Sequence, residues 1–338
     1  MNDDFDNRMA ALGWAADSER LRLDRSVSAI CIGAKPHPFL REFGALLCVQ
    51  GFYPFYDELQ KGGFSVQPTI ENGEWSTAIV CASKHKERTL FEIAFAAEHL
   101  SENGVVILPT PNDIGGKSLA KNAQKLFGSG RYENKHHITL FWAHKKSSSI
   151  DQTLLKEWLQ KGSIRTIEKG YKTAAGVFSS QAIDLGSKLL IKTLQSETIS
   201  GKVADIGAGW GALAKEILNP AITELVLYEA DYNALELAKI NITSKVAAFV
   251  WCDATKLEKK NYFDTIVMNP PFHSEAQTST TLGIALIKSA RTALKNGGKL
   301  YMVANAQLPY ENHLKTLFTK IEILVRTDGY KVIKAISQ

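Results

Sequence analysis

The sequence predicts an α/β protein made of two tandem domains, each a mainly parallel sheet with helices on both faces. Three observations predict this. The chain is 338 residues long, more than one hydrophobic core usually serves. Short apolar runs alternate with helical stretches through the second half, the pattern of parallel strands joined by crossover helices. Two segments also echo each other: Thr77-Ala78-Ile79-Val80-Cys81-Ala82-Ser83-Lys84-His85 and Thr265-Ile266-Val267-Met268-Asn269-Pro270-Pro271-Phe272-His273 read as strand ends in equivalent positions. Each is followed by a helix and then a glycine-led strand, at 103–108 and 297–303.

Composition narrows the class. An apolar fraction of 45% and a charged fraction of 22% are those of an ordinary globular protein. No apolar run reaches the roughly 18 residues a membrane span requires. The acidic start Met1-Asn2-Asp3-Asp4 lacks the basic-then-apolar order of a secretion signal. Cys31, Cys48, Cys81 and Cys252 are scattered, with no Cys-x-x-Cys and no His/Cys cluster. A cytoplasmic, metal-free, monomeric protein that does not engage a membrane is expected. Residues 1–150 carry 17 basic and 17 acidic side chains, whereas 151–338 carry 23 and 18. The second half is therefore the one more inclined toward a polyanion.

Polar residues from Lys145 to Asp151 separate the apolar run 138–142 from a new helix at 151–161 and a strand-like 164–168. This places a domain boundary at 147/148, with 1–147 as a degenerate copy kept for scaffolding or recognition and 148–338 as the working copy. In the first copy Ala82-Ser83-Lys84 stands against Asn269-Pro270-Pro271. Ala29-Ile30-Cys31-Ile32-Gly33-Ala34-Lys35 offers one glycine where the second copy has three.

The working copy opens with Lys202-Val203-Ala204-Asp205-Ile206, a short strand, followed by glycines at 207, 209 and 211 and the start of a helix. These glycines let the backbone turn tightly and approach a ligand. The next strand ends at Glu229, placed to accept ribose hydroxyls. A further apolar run, 246–251, ends at Cys252-Asp253, where a carboxylate can accept from an adenine amine. Gly-x-Gly-x-Gly departs from the Gly-x-Gly-x-x-Gly spacing of dinucleotide binders. After the strand Phe263-Asp264-Thr265-Ile266-Val267 comes Met268-Asn269-Pro270-Pro271-Phe272-His273. Two prolines end the ladder and stiffen the chain, and Asn269 is held extended by the proline after it. The Asn269 amide oxygen and the Pro270 carbonyl can accept the two hydrogens of an exocyclic amine while Phe272 stacks on its ring. The chain closes on two apolar runs around Asp328-Gly329, a hairpin signal.

The ordered series of Asp205, Glu229, Asp253 and Asn269-Pro270-Pro271-Phe272 resembles the S-adenosylmethionine (SAM) site of class I methyltransferases that modify exocyclic amines or amides. Gly176-Val177-Phe178-Ser179 ahead of Ile183-Asp184-Leu185-Gly186-Ser187, His273, and Val303-Ala304-Asn305-Ala306-Gln307-Leu308-Pro309-Tyr310 sharpen the match. Over 165–338 the sequence resembles the bacterial ribosomal RNA small-subunit methyltransferase C family. Its relative acting on 23S rRNA shares most of these features.

The resemblance implies a tandem duplication of class I SAM-dependent methyltransferase (Rossmann-like) domains with only the C-terminal copy active. It implies methylation of guanine N2 in 16S rRNA of the small ribosomal subunit. Asn269, Pro270, Pro271 and Phe272 become the catalytic residues, and Asp205, Gly207, Gly209, Gly211, Glu229, Asp253 and Asn269 the cofactor ligands. Phe272, His273, Phe178 and Lys172 become substrate contacts. One departure is Glu229, where the family pattern has aspartate. Other acceptors stay open on the same chemistry: guanine N2 of 23S rRNA, adenine N6 or a protein glutamine amide. A non-catalytic RNA-binding assembly factor is the alternative of another class.

Overall fold

The computed structural model describes residues 4–270, 276–327 and 329–338. The chain divides into two compact units, Met1–Ile164 with Ala174–Gly176, and Arg165–Thr173 with Val177–Gln338.

The first unit runs α1 (Asp4–Asp17), β1 (Ser28–Ile32), β2 (Ala45–Val49), α2 (Tyr53–Lys61), β3 (Ser65–Gln67), β4 (Trp75–Val80), α3 (Lys86–His99), β5 (Leu100–Pro111), α4 (Gly116–Phe127), β6 (Arg131–Lys135), β7 (Ile138–His144) and α5 (Gln152–Lys161). Its sheet has the order β3-β2-β1-β4-β5-β7-β6. Only the β5–β7 and β6–β7 pairings are antiparallel. Apolar clusters cover both faces, which is why β1 and β4 read as nearly continuous apolar runs.

Helix α5 starts where the polar segment predicts it. Asp151 caps it, Oδ1 accepting from the backbone N–H groups of Thr153 and Leu154 at 3.0 Å each. Its apolar residues Leu155 and Trp158 are buried in the first unit's core with Leu90 and Phe95. The division thus falls later than 147/148, because the polar stretch introduces a helix and the helix's apolar face assigns it to the first unit.

The second unit comprises β8 (Arg165–Thr166), β9 (Lys172–Thr173), α6 (Leu185–Leu194), β10 (Gly201–Ile206), α7 (Ala212–Ile217), β11 (Ile222–Glu229), α8 (Tyr232–Asn241), β12 (Ala247–Trp251), β13 (Phe263–Met268), α9 (Ala276–Ala293), β14 (Leu294–Asn305), α10 (Tyr310–Leu317), β15 (Lys320–Arg326) and β16 (Tyr330–Ile336). Its main sheet has the order β12-β11-β10-β13-β14-β16-β15, the same permutation as the first. β16 is inserted antiparallel between β14 and β15. This is the expected closing hairpin, although Asp328 of its turn lies outside the described residues.

Both units are thus Rossmann-like sheets of one topology, and their registers set equivalent positions against each other. Ile32 pairs with Val49 and Val80 as Ile206 pairs with Tyr228 and Met268. Gly33 N donates to Val49 O at 2.9 Å, as Gly207 N donates to Tyr228 O at 2.8 Å. Register therefore puts Cys31 at the place of Asp205, Gln50 at that of Glu229 and Cys81 at that of Asn269. The Ala82-for-Asn269 correspondence read from sequence is corrected by one residue. In the first unit these groups are satisfied internally. Gln50 Nε2 donates to Ala34 O at 2.6 Å, and its Oε1 accepts from Phe52 N at 2.9 Å. Arg8 of α1 donates to Ala82 O at 2.8 Å. Cys31, Cys48 and Cys81 are buried and free of disulfides.

Among the described residues no helix is long and apolar enough to cross a membrane. Nor does any group of three or more His, Cys, Asp or Glu form a metal cage among them.

Candidate active site

The site lies where β10, β11 and β13 end side by side, the position at which parallel sheets present their loops. After Ile206 the chain turns through Gly207, Gly209 and Gly211, at φ of +72°, +56° and +84°. Gly207 N and Ala208 N both donate to Tyr228 O, drawing the loop over the end of β11. The three glycines do different work. A Cβ on Gly207 or Gly209 would point into open space, whereas one on Gly211 would meet Ile242 Cδ1 at 3.0 Å. The first two leave room for a ligand, and the third lets α7 pack against α8.

Two carboxyls stand behind this loop. Asp205 is 1% exposed, and neither of its oxygens has a hydrogen-bond partner. Burial pushes its carboxyl up to about 8, the nearby charge of Glu229 adds to the shift, and the backbone N–H of Ala214 opposes it. Glu229 is itself pushed up to about 7 by burial, against the opposing pull of backbone N–H groups. Its Oε1 accepts from Ala230 N and Asp231 N at 2.8 Å each, and its Oε2 from Gly209 N at 2.7 Å. That leaves about one of its acceptor sites open. A ligand that takes more must displace Gly209, which lies in the loop a ligand would reach.

Asn269 ends the neighbouring strand. Its Nδ2 donates to Asp184 Oδ2 at 3.0 Å and to Ser187 Oγ at 2.8 Å. Its Oδ1 is buried without a partner. A cleft is lined by Asn269, Asp184, Ser187, Asp205, the glycine loop and Phe178. The Phe178 side chain is 49% exposed. Its carbonyl accepts from Trp210 Nε1 at 3.0 Å, which ties the 176–179 segment to the loop.

Glu229, Gly211 and Pro270 are not among the residues that line the cleft, and two further candidates stand elsewhere. Asp253 does not line the cleft, and its Oδ1 accepts from Thr255 N at 3.0 Å and Thr255 Oγ1 at 2.6 Å. Lys172 does not line it either, and its Nζ donates to Thr166 Oγ1 at 2.7 Å. Pro271, Phe272 and His273 lie outside the described residues.

Reasoning from sequence assigned no role to three residues, Asp184, Ser187 and Asn241. Asp184 and Ser187 hold the Asn269 amide. Asn241 Nδ2 donates to Lys172 O and Trp210 O at 2.9 Å each, while its Oδ1 accepts from Lys172 N at 2.7 Å. This clamps β9 and the glycine loop to α8, with Trp210 edge-on to Tyr171 at 5.2 Å. Asp184-x-x-Ser187 at a helix start was the visible signal, but it reads as a cap and nothing more.

The Methyltransferase small domain family matches residues 168–334. The ribosomal RNA small subunit methyltransferase C of Shewanella pealeana is 31% identical over 265 residues, covering 76% of this chain and 76% of that protein. The chain belongs to the ribosomal RNA small subunit methyltransferase C family. The family's protein from Shewanella halifaxensis is 30% identical with the same coverage. The solved 16S rRNA N2 methyltransferase of T. thermophilus, in complex with AdoMet and guanosine, shares the fold. Its TM-score is 0.77 at 21% identity, over 92% of this chain and 88% of that one.

As a member of the small subunit methyltransferase C family the chain is a SAM-dependent methyltransferase. The C-terminal unit holds the residues that fit that cofactor. A buried carboxylate with two orphaned oxygens suits the ammonium and sulfonium charges of SAM. A Cβ on Gly207 or Gly209 would meet no protein atom within 4 Å, so the loop leaves open space where it borders the cleft.

Proposed function

We propose that this chain methylates the exocyclic N2 amine of a guanine in 16S rRNA of the small ribosomal subunit. The observation that carries this reading is the Asn269 amide oxygen, buried and unpaired, in a residue that lines the cleft together with Asp205. An acceptor in that state calls for a donor, and an exocyclic amine bears two hydrogens. Family membership favours a guanine in small-subunit RNA over other planar nitrogens.

SAM supplies the activated methyl, and the protein orients and desolvates the reactants. Asp205, Gly207, Gly209, Gly211, Glu229 and Asp253 hold the cofactor. Asn269 Oδ1 and the Pro270 carbonyl accept from the amine, favour its pyramidal form and offset the positive charge that grows on nitrogen in the transition state. Pro271 stiffens that segment. Phe272 holds a base that has left its stack, with Phe178 at the mouth of the cleft. His273 and Lys172 meet the base or its phosphates. The amine's proton passes to water after transfer, so no strong base is required. The N-terminal unit serves recognition or scaffolding, and the enzyme acts as a cytoplasmic monomer without a metal.

The test is transfer of tritiated methyl from SAM to 16S rRNA, 23S rRNA and 30S subunits, with the labelled nucleoside identified and Asn269→Ala as control. N2-methylguanosine from small-subunit substrate, formed far more slowly by the variant, is expected. Label in 23S rRNA, in N6-methyladenosine or in protein would replace the substrate and keep the chemistry. No transfer with no SAM binding would leave an assembly factor.

A further inference from the structure

We infer that Asp184 and Ser187 are positioning residues that lock the Asn269 side chain with its oxygen toward the methyl acceptor. The inference rests on the reading above, in which Asn269 Oδ1 meets the target amine. A free amide can turn about its last bond and present either an acceptor or a donor to the cleft. Presented the wrong way, Nδ2 would face the amine donor with another donor.

Here the orientation is decided by the two groups that hold the amide nitrogen. Nδ2 has two hydrogens, and both are engaged, one by Asp184 Oδ2 at 3.0 Å and one by Ser187 Oγ at 2.8 Å. The flipped rotamer would set Oδ1 against a carboxylate oxygen, which has no hydrogen to offer. Oδ1 is left buried and unpaired, in a residue that lines the cleft.

The clamp is itself held. Asp184 caps α6, and the same Oδ2 accepts from Ser187 N at 3.0 Å. One oxygen thus fixes both the first turn of the helix and the amide. Ser187 is brought into reach by that turn. Gly186 makes the arrangement possible, because a Cβ there would stand 3.0 Å from Asp184 Oδ2 and 3.2 Å from the Tyr330 ring. A charged acceptor behind Nδ2 also polarises the amide, strengthening Oδ1 as an acceptor for the amine.

The test uses the full-length enzyme with small-subunit RNA, measuring kcat at saturating SAM and SAM affinity by calorimetry. Asp184→Ala should lower kcat about 10- to 100-fold, the scale of a misplaced catalytic group. SAM affinity should stay within about threefold. Asp184→Asn keeps an acceptor oxygen and should restore most of the rate. Ser187→Ala should lower kcat and Ser187→Thr, which retains the hydroxyl, should recover it. If Asp184→Ala does not fold, the Ser187 pair decides the matter alone.

The sharpest comparison is made in the Asn269→Ala background under single turnover. There Asp184→Ala should cause no further loss, since it acts only through the amide. Multiplying losses would overturn the inference, as would equal damage from Asp184→Ala and Asp184→Asn, or a fall in SAM affinity that tracks kcat. A wild-type enzyme that forms no N2-methylguanosine would overturn the underlying reading instead.

Discussion

Asp205→Asn should make the protein more stable, and increasingly so as pH rises. The side chain is 1% exposed with both oxygens unpaired, and burial raises its carboxyl from 3.8 to about 8. For an acid whose folded value is raised, the native state binds the extra proton between the two values. The stability it contributes is complete below about 3.8, declines as pH climbs, and is fully lost once pH passes about 8. Each pH unit in that window removes up to about 1.4 kcal/mol. An amide does not titrate and so keeps its contribution. Between pH 6.0 and 8.0 the gap between variant and wild type should therefore widen by up to about 3 kcal/mol. Relaxation around the charge reduces this to roughly 1–3 kcal/mol. For a unit of this size that is a widening of roughly 2–10 °C in the melting difference. Glu229 titrates in both proteins and largely cancels. Scanning calorimetry of both proteins at the two pH values measures the effect. A variant that is destabilised at both, or whose advantage does not grow with pH, would refute the idea that Asp205 is a buried, uncompensated acid. The same substitution should weaken SAM binding at least about tenfold, because a site poised for a cation is strained without one.

Three further outcomes follow from the same geometry. SAM binding should release protons near pH 7 and tighten from pH 6 toward 8, because a cationic ligand draws Asp205 and Glu229 below their values of about 8 and about 7. Calorimetry in buffers of different ionisation enthalpy reads this directly, and an affinity flat across the range would contradict it. Gly211→Ala should lower stability by roughly 1–3 kcal/mol through its left-handed φ and the 3.0 Å approach of Ile242. Gly207→Ala, equally left-handed but facing open space, should lower stability by only about 1 kcal/mol and reveal itself mainly in SAM affinity. Asn241→Ala should cost about 2–4 kcal/mol in chemical denaturation, since it strands backbone groups of Lys172 and Trp210.

Much of the fold was legible because its signals are local. Strands buried on both faces must be apolar throughout, so β10, β11 and β13 announce themselves, and each is followed at once by the residue it delivers. Asp205 is the last residue but one of its strand, Glu229 ends the next, and Asn269 follows a third. In a parallel sheet the chain order of strand ends is also the membership of the site. The assignment of α5 was not legible, because the polar residues before a helix look the same whether a domain ends there or not. The one-residue offset between the copies was within reach, since aligning Thr77 with Thr265 already sets Cys81 against Asn269, and strand pairing agrees.

The sequence by itself determined which chemical groups the site contains: an acid before a glycine turn, an acid on the next strand, and an amide held extended by a proline. These depend on neighbours within a few positions. Tertiary structure alone decided how those groups stand. It buried Asp205 away from any charged partner, gave most of Glu229 to backbone N–H groups, and tied the Asn269 amide nitrogen to Asp184, 85 positions earlier in the chain, leaving the oxygen unpaired. Whether a buried polar atom is satisfied depends on every segment that converges on it, and no local pattern of residues records that convergence.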